Sequence, residues 1–171
     1  MSTSALATRV SGPVLHPGDS GYAPEIAAFN TAVVHTPDLV VGATSANDIA
    51  AAIQFARSQG LKVHVQGAGH GAEAPIGAGV LISTRRMGHV SVDPRACVAR
   101  VGAGATWAAV IAAAAEHGLA PVTGSSATVG VVGYVLGGGL GPLARSHGFS
   151  SDYLIGASVV SGTGELRETS A

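Results

Sequence analysis

Two glycine-rich stretches constrain this chain more than any other feature: Gln66-Gly67-Ala68-Gly69-His70-Gly71, and Thr-Val-Gly-Val-Val-Gly-Tyr-Val-Leu-Gly-Gly-Gly-Leu-Gly over residues 128–141. Glycine has no Cβ, so its backbone can take positive φ and bring N–H groups close to a phosphate, which few other residues permit. The pair therefore predicts irregular anion cradles, with a histidine set inside the first.

Charge supports a backbone cradle. Nine Lys and Arg against ten Asp and Glu give a formal charge of -1, without the clustered cations of a nucleic-acid footprint. No nucleic-acid partner is expected, and a phosphate-bearing ligand would be held mostly by amides. At 171 residues the chain is one domain or part of a larger one, long enough to bury a core. Its longest apolar run, residues 129–144, is broken by six glycines and a proline. It is also shorter than the roughly 20 residues of a bilayer span, so it reads as a loop and turn system and no membrane partner is expected. The first nine residues lack the apolar centre of a secretion signal. One cysteine, Cys97, excludes an internal disulfide framework and a multi-cysteine metal site, and fits a cytoplasmic protein.

Residues 1–36 have loop composition, with Pro13, Pro17, Gly18, Gly21 and Pro24 ahead of a short helical patch at 25–31. They read as an N-terminal arm, and the domain proper as 37–171. Leu39-Val40-Val41 predicts a strand, and Ser45-Ala46-Asn47-Asp48 a capping box opening a helix that Gly60 closes. Residues 61–65 alternate as a strand running straight into the first glycine loop, where a ligand at the strand's carboxyl end is sensible. Further strands are expected at 80–83, 89–92 and 96–101, the last with Cys97, Ala99 and Val101 on one face and Cys97 as a core thiol. An alanine-rich helix follows over 107–117, and residues 155–160 and 164–167 predict a hairpin.

Competing motifs fail on context. Gly67-Ala68-Gly69-His70-Gly71 is spaced G-x-G-x-G, and Pro75, Gly77 and Gly79 follow where a dinucleotide fingerprint must open a helix. Neither stretch ends in the Lys-Ser/Thr of a P-loop. G-x-S-x-G is absent, which disfavours nucleophilic hydrolysis. Neither His64 nor Glu73 completes a metal-ligand spacing, so no metal is expected.

Taken in order, Gly18-Asp19-Ser20-Gly21-Tyr22, Phe29-Asn30, Pro37, the Ser45 helix, Gly67-Ala68-Gly69-His70, Val92-Asp93-Pro94, residues 100–104, Trp107, His117-Gly118-Leu119, residues 129–139, residues 145–148, Asp152 and Val159-Val160 form a pattern. It resembles the N-terminal half of the FAD-linked oxidases of the vanillyl-alcohol-oxidase fold, and most closely bacterial berberine-bridge-enzyme-like oxidoreductases. The resemblance implies an α+β fold: a two-subdomain, PCMH-type FAD-binding domain with FAD extended between the subdomains, C-terminally incomplete, with the substrate domain absent.

By that resemblance Gln66, Gly67, Ala68, Gly69, His70 and Gly71 wrap the pyrophosphate. Ser125, Ser126, Thr128, Val129, Gly130, Gly133 and Tyr134 run along the flavin and phosphates, and Val160 lies near the adenine. His70 is the candidate for an 8α covalent bond to FAD. Relatives with a second, cysteinyl bond carry Cys-Pro-Thr-Val-Gly where this chain has Ser126-Ala127-Thr128-Val129-Gly130, which leaves at most one link. Gln66 stands where arginine is frequent. The implied reaction is hydride transfer from a small organic substrate (alcohol, sugar or amine) to flavin N5, with dioxygen as acceptor; Gly124 is a small residue at a position linked to oxygen access. Two other readings stay open: a non-catalytic flavin-binding remnant, and a structural or interaction domain in which the glycines serve packing alone.

Overall fold

Val80-Leu81-Ile82-Ser83 is apolar without alternation, the pattern of a strand covered on both faces, and it forms the centre of the main sheet. The computed structural model describes residues 2–170. Its elements are α1 (Thr3–Ala7), β1 (Val14–Leu15), α2 (Tyr22–Ile26), β2 (Leu39–Gly42), α3 (Ala46–Ser58), β3 (Val63–Gln66), β4 (Val80–Ser83), β5 (Val90–Asp93), β6 (Val98–Val101), α4 (Trp107–Ala115), α5 (Val131–Leu136), α6 (Ala144–His147), a 3-10 turn (Ser150–Tyr153), β7 (Gly156–Val160) and β8 (Leu166–Ser170).

The main sheet runs β1-β2-β4-β3, with β2, β4 and β3 parallel and β1 antiparallel at the edge. The chain crosses from β2 through α3 to β3, and β4 then inserts between them. Leu39, Val41, Val80 and Ile82 pack with Ala52, Phe55 and Ala56 of α3, while Val40 and Leu81 join Tyr22 in a separate cluster. Successive strand residues thus serve opposite faces. Ser45 caps α3 by accepting from the Asp48 amide at 3.2 Å, and Gly60 follows the helix at φ +66°. Asp48 is buried and accepts from the Ser11, Gly12 and Thr44 amides and the Thr44 hydroxyl, which clamps the start of the chain onto the helix.

A second core gathers Ala105, Trp107, Val110 and Val131, with Val90, Val101 and Tyr134 against it. β5 and β6 form one hairpin, and β7 and β8 another. The second hairpin docks on α3: Arg57 donates to the Gly162 carbonyl at 3.0 Å, and Val160 packs on the first core.

Several local expectations are corrected. The helical patch expected at 25–31 lies at Tyr22–Ile26. Pro24 is tolerated there because the first helical turn leaves its N–H groups without intrahelical partners, and Ala27 turns extended at φ −58°, ψ 126°. Cys97 is no core thiol: it is exposed, at φ +54°. β5 and β6 pair up to Asp93 opposite Val98, so residues 94–97 form the connecting loop. Asp93 Oδ1 accepts from the Arg95 and Ala96 amides, and Cys97 takes the left-handed position that returns the chain. The second glycine stretch is not wholly loop and turn, since α5 lies within it. The alanine-rich helix ends at Ala115, with Gly118 beyond it at φ +68°. α1 arises within the loop-like start, where Leu6 is fully buried. Among the described residues no helix is long and apolar enough to cross a membrane.

Candidate functional site

Gly42, Gln66 and Ser83 lie in one row across the parallel strands, so the first glycine loop leaves the sheet at its carboxyl edge. Thr84 fixes that exit. Its hydroxyl donates to the Ala103 carbonyl at 3.0 Å and its amide to the Gln66 carbonyl at 2.9 Å, tying the sheet to residues 102–104. Gly104 makes this junction possible, because a Cβ there would stand 2.0 Å from the Thr84 carbonyl oxygen.

The second stretch is held beside the first by the start of α4. The Trp107 amide donates to the Val129 carbonyl, the Ala108 amide to Ala127, and the Val131 amide to Ala105. A Cβ on Gly130 would lie 3.7 Å from Ala68, an ordinary contact. The two stretches, almost sixty residues apart, are thus neighbours, and His70 spans the seam: its Nε2 lies 3.0 Å from Thr128 Oγ1, which is 3.1 Å from Ser126 Oγ.

The arm closes on the other side. Phe29 stacks on the His70 ring with centroids 3.6 Å apart and planes 14° from parallel. Gly69, at φ +73°, lets the loop meet the arm: a Cβ would fall 2.7 Å from Ala28 Cα. Gln66 sets that arm. It is buried, its Nε2 donates to the Ile26 and Ala27 carbonyls, and its Oε1 accepts from His35 Nε2 at 2.9 Å. Because His35 Nδ1 accepts from the Ile76 amide, Nε2 carries the ring proton. Arg85 adds donors to the Pro24 and Ala27 carbonyls, completing the cap on the end of α2.

The expected site residues therefore separate. Gly67, Ala68, Gly69, His70, Gly71, Ser126, Thr128, Val129 and Gly130 come together along the seam, with Ser125 exposed beside Ser126. Gly133 is exposed on α5, with open space where its Cβ would be. The Gln66 side chain is engaged with the arm. Tyr134 packs edge-on against Trp107 at 5.6 Å. Cβ atoms on Gly124, Gly139 or Gly141 would crowd its ring or hydroxyl at 2.8 to 3.0 Å, so these glycines house an aromatic side chain. Val160 makes its contacts with the first core. Phe29, Ala28 and His35 were missed as site-shaping residues; an aromatic residue in a loop-like segment, with no apolar pattern to bury it, was the one available signal for Phe29.

The seam offers donors suited to an anion. The N–H groups of residues 67–71 have no acceptor among the described residues, and a Cβ on Gly71 would meet nothing within 4 Å. Side-chain cations near the arm are already engaged: Arg85 by carbonyls, and Arg86 by buried Glu25 at 3.0 Å. Among the described residues no three His, Cys, Asp or Glu side chains converge as a metal site.

Residues 37–170 match the model of the FAD binding domain family. The chain belongs to this family. It is 33% identical over 168 residues to (R)-6-hydroxynicotine oxidase of Paenarthrobacter nicotinovorans, covering 96% of this chain and 37% of that one. The crystal structure of 6-hydroxy-D-nicotine oxidase from Arthrobacter nicotinovorans matches with a TM-score of 0.88 at 32% identity, over 94% of this chain and 36% of that one. A glucooligosaccharide oxidase structure from Acremonium strictum, whose cofactor is described as 6-S-cysteinyl, 8α-N1-histidyl FAD, matches with a TM-score of 0.85 at 30% identity, over 99% and 37%. The chain spans a little over a third of these relatives' length. As a flavoprotein FAD-binding domain of mixed α and β structure, it offers in the unpartnered loop amides a cradle that fits the cofactor's diphosphate.

Proposed function

We propose that this chain is the flavin-holding part of an FAD-linked oxidoreductase, with FAD laid along the seam between the two glycine stretches and anchored covalently through His70. The observation that carries this reading is the convergence of both stretches on one imidazole. The amides of residues 67–71 bind the diphosphate, Gln66 acting by holding the arm in place. Ser125, Ser126, Thr128, Val129, Gly130 and Gly133 line the cofactor's path, Tyr134 shapes it from the second core, and Val160 supports the adenine end. Residues 1–36 serve as the arm and 37–171 as the flavin domain.

FAD, when bound, supplies a hydride acceptor at N5 for a substrate C–H bond and passes the electrons to dioxygen. The protein's share is orientation and exclusion of water from the reacting face. Relatives named as hydroxynicotine and glucooligosaccharide oxidases support small amine-type or sugar-type substrates. The histidyl flavin of the glucooligosaccharide oxidase supports the anchor, and Ser126 in place of cysteine leaves His70 as the single link. The lone cysteine fits a cytoplasmic setting.

The test is to purify the full natural protein and add alcohols, sugars and amines without oxygen. Yellow protein whose flavin bleaches with one substrate class, and forms peroxide on re-aeration, is expected. Colourless protein that binds no added FAD would refute the proposal.

A further inference from the structure

We propose that Thr128 is a positioning residue that selects which nitrogen of His70 bonds to the flavin, directing the bond to Nδ1. This rests on the covalent anchor proposed above and adds the device that steers it. Four observations bear on the imidazole. Nε2 faces Thr128 Oγ1 at 3.0 Å. The same hydroxyl is 3.1 Å from Ser126 Oγ, so it can accept from Nε2–H while donating its own proton to Ser126. Phe29 covers one face of the ring in a near-parallel stack, which restricts the flip that would exchange the two nitrogens. Nδ1 has no hydrogen-bond partner among the described residues.

An imidazole attacks through the nitrogen that bears a lone pair, and its tautomer is set by the hydrogen bond made at the other nitrogen. With the proton held on Nε2 by Thr128, Nδ1 is the nucleophile. Nδ1 forms a bond to the 8α carbon, one C–H bond of that methyl group breaks, and two protons leave, one from the methyl and one from Nε2. The electron pair of the broken C–H bond reduces the flavin ring, and dioxygen takes up two electrons and two protons to give hydrogen peroxide. Without the hydroxyl the two tautomers compete and the ring loses one restraint. A reacting atom displaced by about 1 Å can lose on the order of a hundredfold in rate.

The test compares the full natural protein with Thr128→Val, which keeps the shape and removes the hydroxyl, and Thr128→Ser, which restores it. Apoprotein of each is incubated with FAD in air. Attachment is followed by flavin fluorescence of the acid-denatured protein, and the linked nitrogen is identified on the isolated histidyl-flavin peptide. Attachment in Thr128→Val should slow about tenfold or more or spread to Nε2, with Thr128→Ser close to wild type, when rates are compared at FAD concentrations that saturate each protein. Wild-type protein that never attaches FAD overturns the anchor itself. Wild type and Thr128→Val attaching at the same rate through the same nitrogen overturns the role of Thr128 alone, as does attachment of wild type through Nε2. Loss in Thr128→Val that Thr128→Ser does not rescue also overturns it, since the hydroxyl would then not be what matters.

Discussion

In the four-stranded sheet β1-β2-β4-β3, the two inner strands are sealed on both faces: Val40, Val41, Val80, Leu81 and Ile82 are wholly inaccessible to solvent. In the half that holds α4, α5 and the β5–β6 hairpin, apolar side chains stand open, with Leu136 79% and Leu140 70% exposed. The contrast explains how the site is built. The first glycine loop leaves β3 beside the sealed strand β4, so its path is set by that base and by the arm clasped through Gln66. The second stretch and the residues just before it bring their polar groups, Thr128 and Ser126, from the more open half. His70 lies where they meet, and its ring is held by one contact from the arm and one from the second stretch.

The largest effect should separate the two halves directly. Leu81→Ala leaves a cavity in the sealed sheet and should cost about 3 kcal/mol, whereas Leu136→Ala on the open side should stay within about 0.5 kcal/mol. Urea unfolding of both variants checks this, and equal losses would break the comparison.

Next comes the junction of loop and arm. Gly69→Ala puts a Cβ 2.7 Å from Ala28 Cα at φ +73°, and should cost about 2 kcal/mol from overpacking and left-handed strain together. Gly71→Ala meets open space and should leave stability within about 0.5 kcal/mol. Thermal melting with and without FAD distinguishes them: the first variant loses both stability and the FAD-induced rise, and the second keeps its stability.

A smaller effect concerns the clamp on α3. Burial raises the Asp48 carboxyl, but hydrogen bonds from Ser11, Thr44 and Ser45 outweigh it and hold the pKa below its ordinary value. A carboxylate with a depressed folded pKa contributes stability that is complete above its unfolded pKa of about 3.9 and is lost as pH falls through the lower folded value. Asp48→Asn should cost about 1.5 kcal/mol at neutral pH and flatten the fall in stability below about pH 4. Urea midpoints across that range check the sign.

Much of the sealed half was legible in sequence because its signals are local. The apolar run at 80–83, the cap at Ser45 and the glycine after α3 all announce their structures within a few residues. The insertion of β4 between β2 and β3 was not legible, since parallel pairing is decided by contacts far apart in the chain. Cys97 was misread because alternation ignores the loop that a hairpin register demands. His70 and Thr128 were legible as site candidates through family resemblance, but not their contact. The bond of Gln66 to the arm was hidden, because its partners are backbone carbonyls of residues 26 and 27, which leave no trace in side-chain pattern. The same holds for the three glycines around Tyr134: a glycine that makes room for a ring looks, in sequence, like one that makes room for a phosphate.

The two glycine stretches are proposed to form one flavin seat with His70 as its anchor. Intact mass of the acid-denatured full protein, wild type beside His70→Ala, tests it most directly. Wild type should carry a mass excess of one FAD and His70→Ala none. An unmodified wild-type mass after loading with FAD, or an excess that survives in His70→Ala, would contradict it.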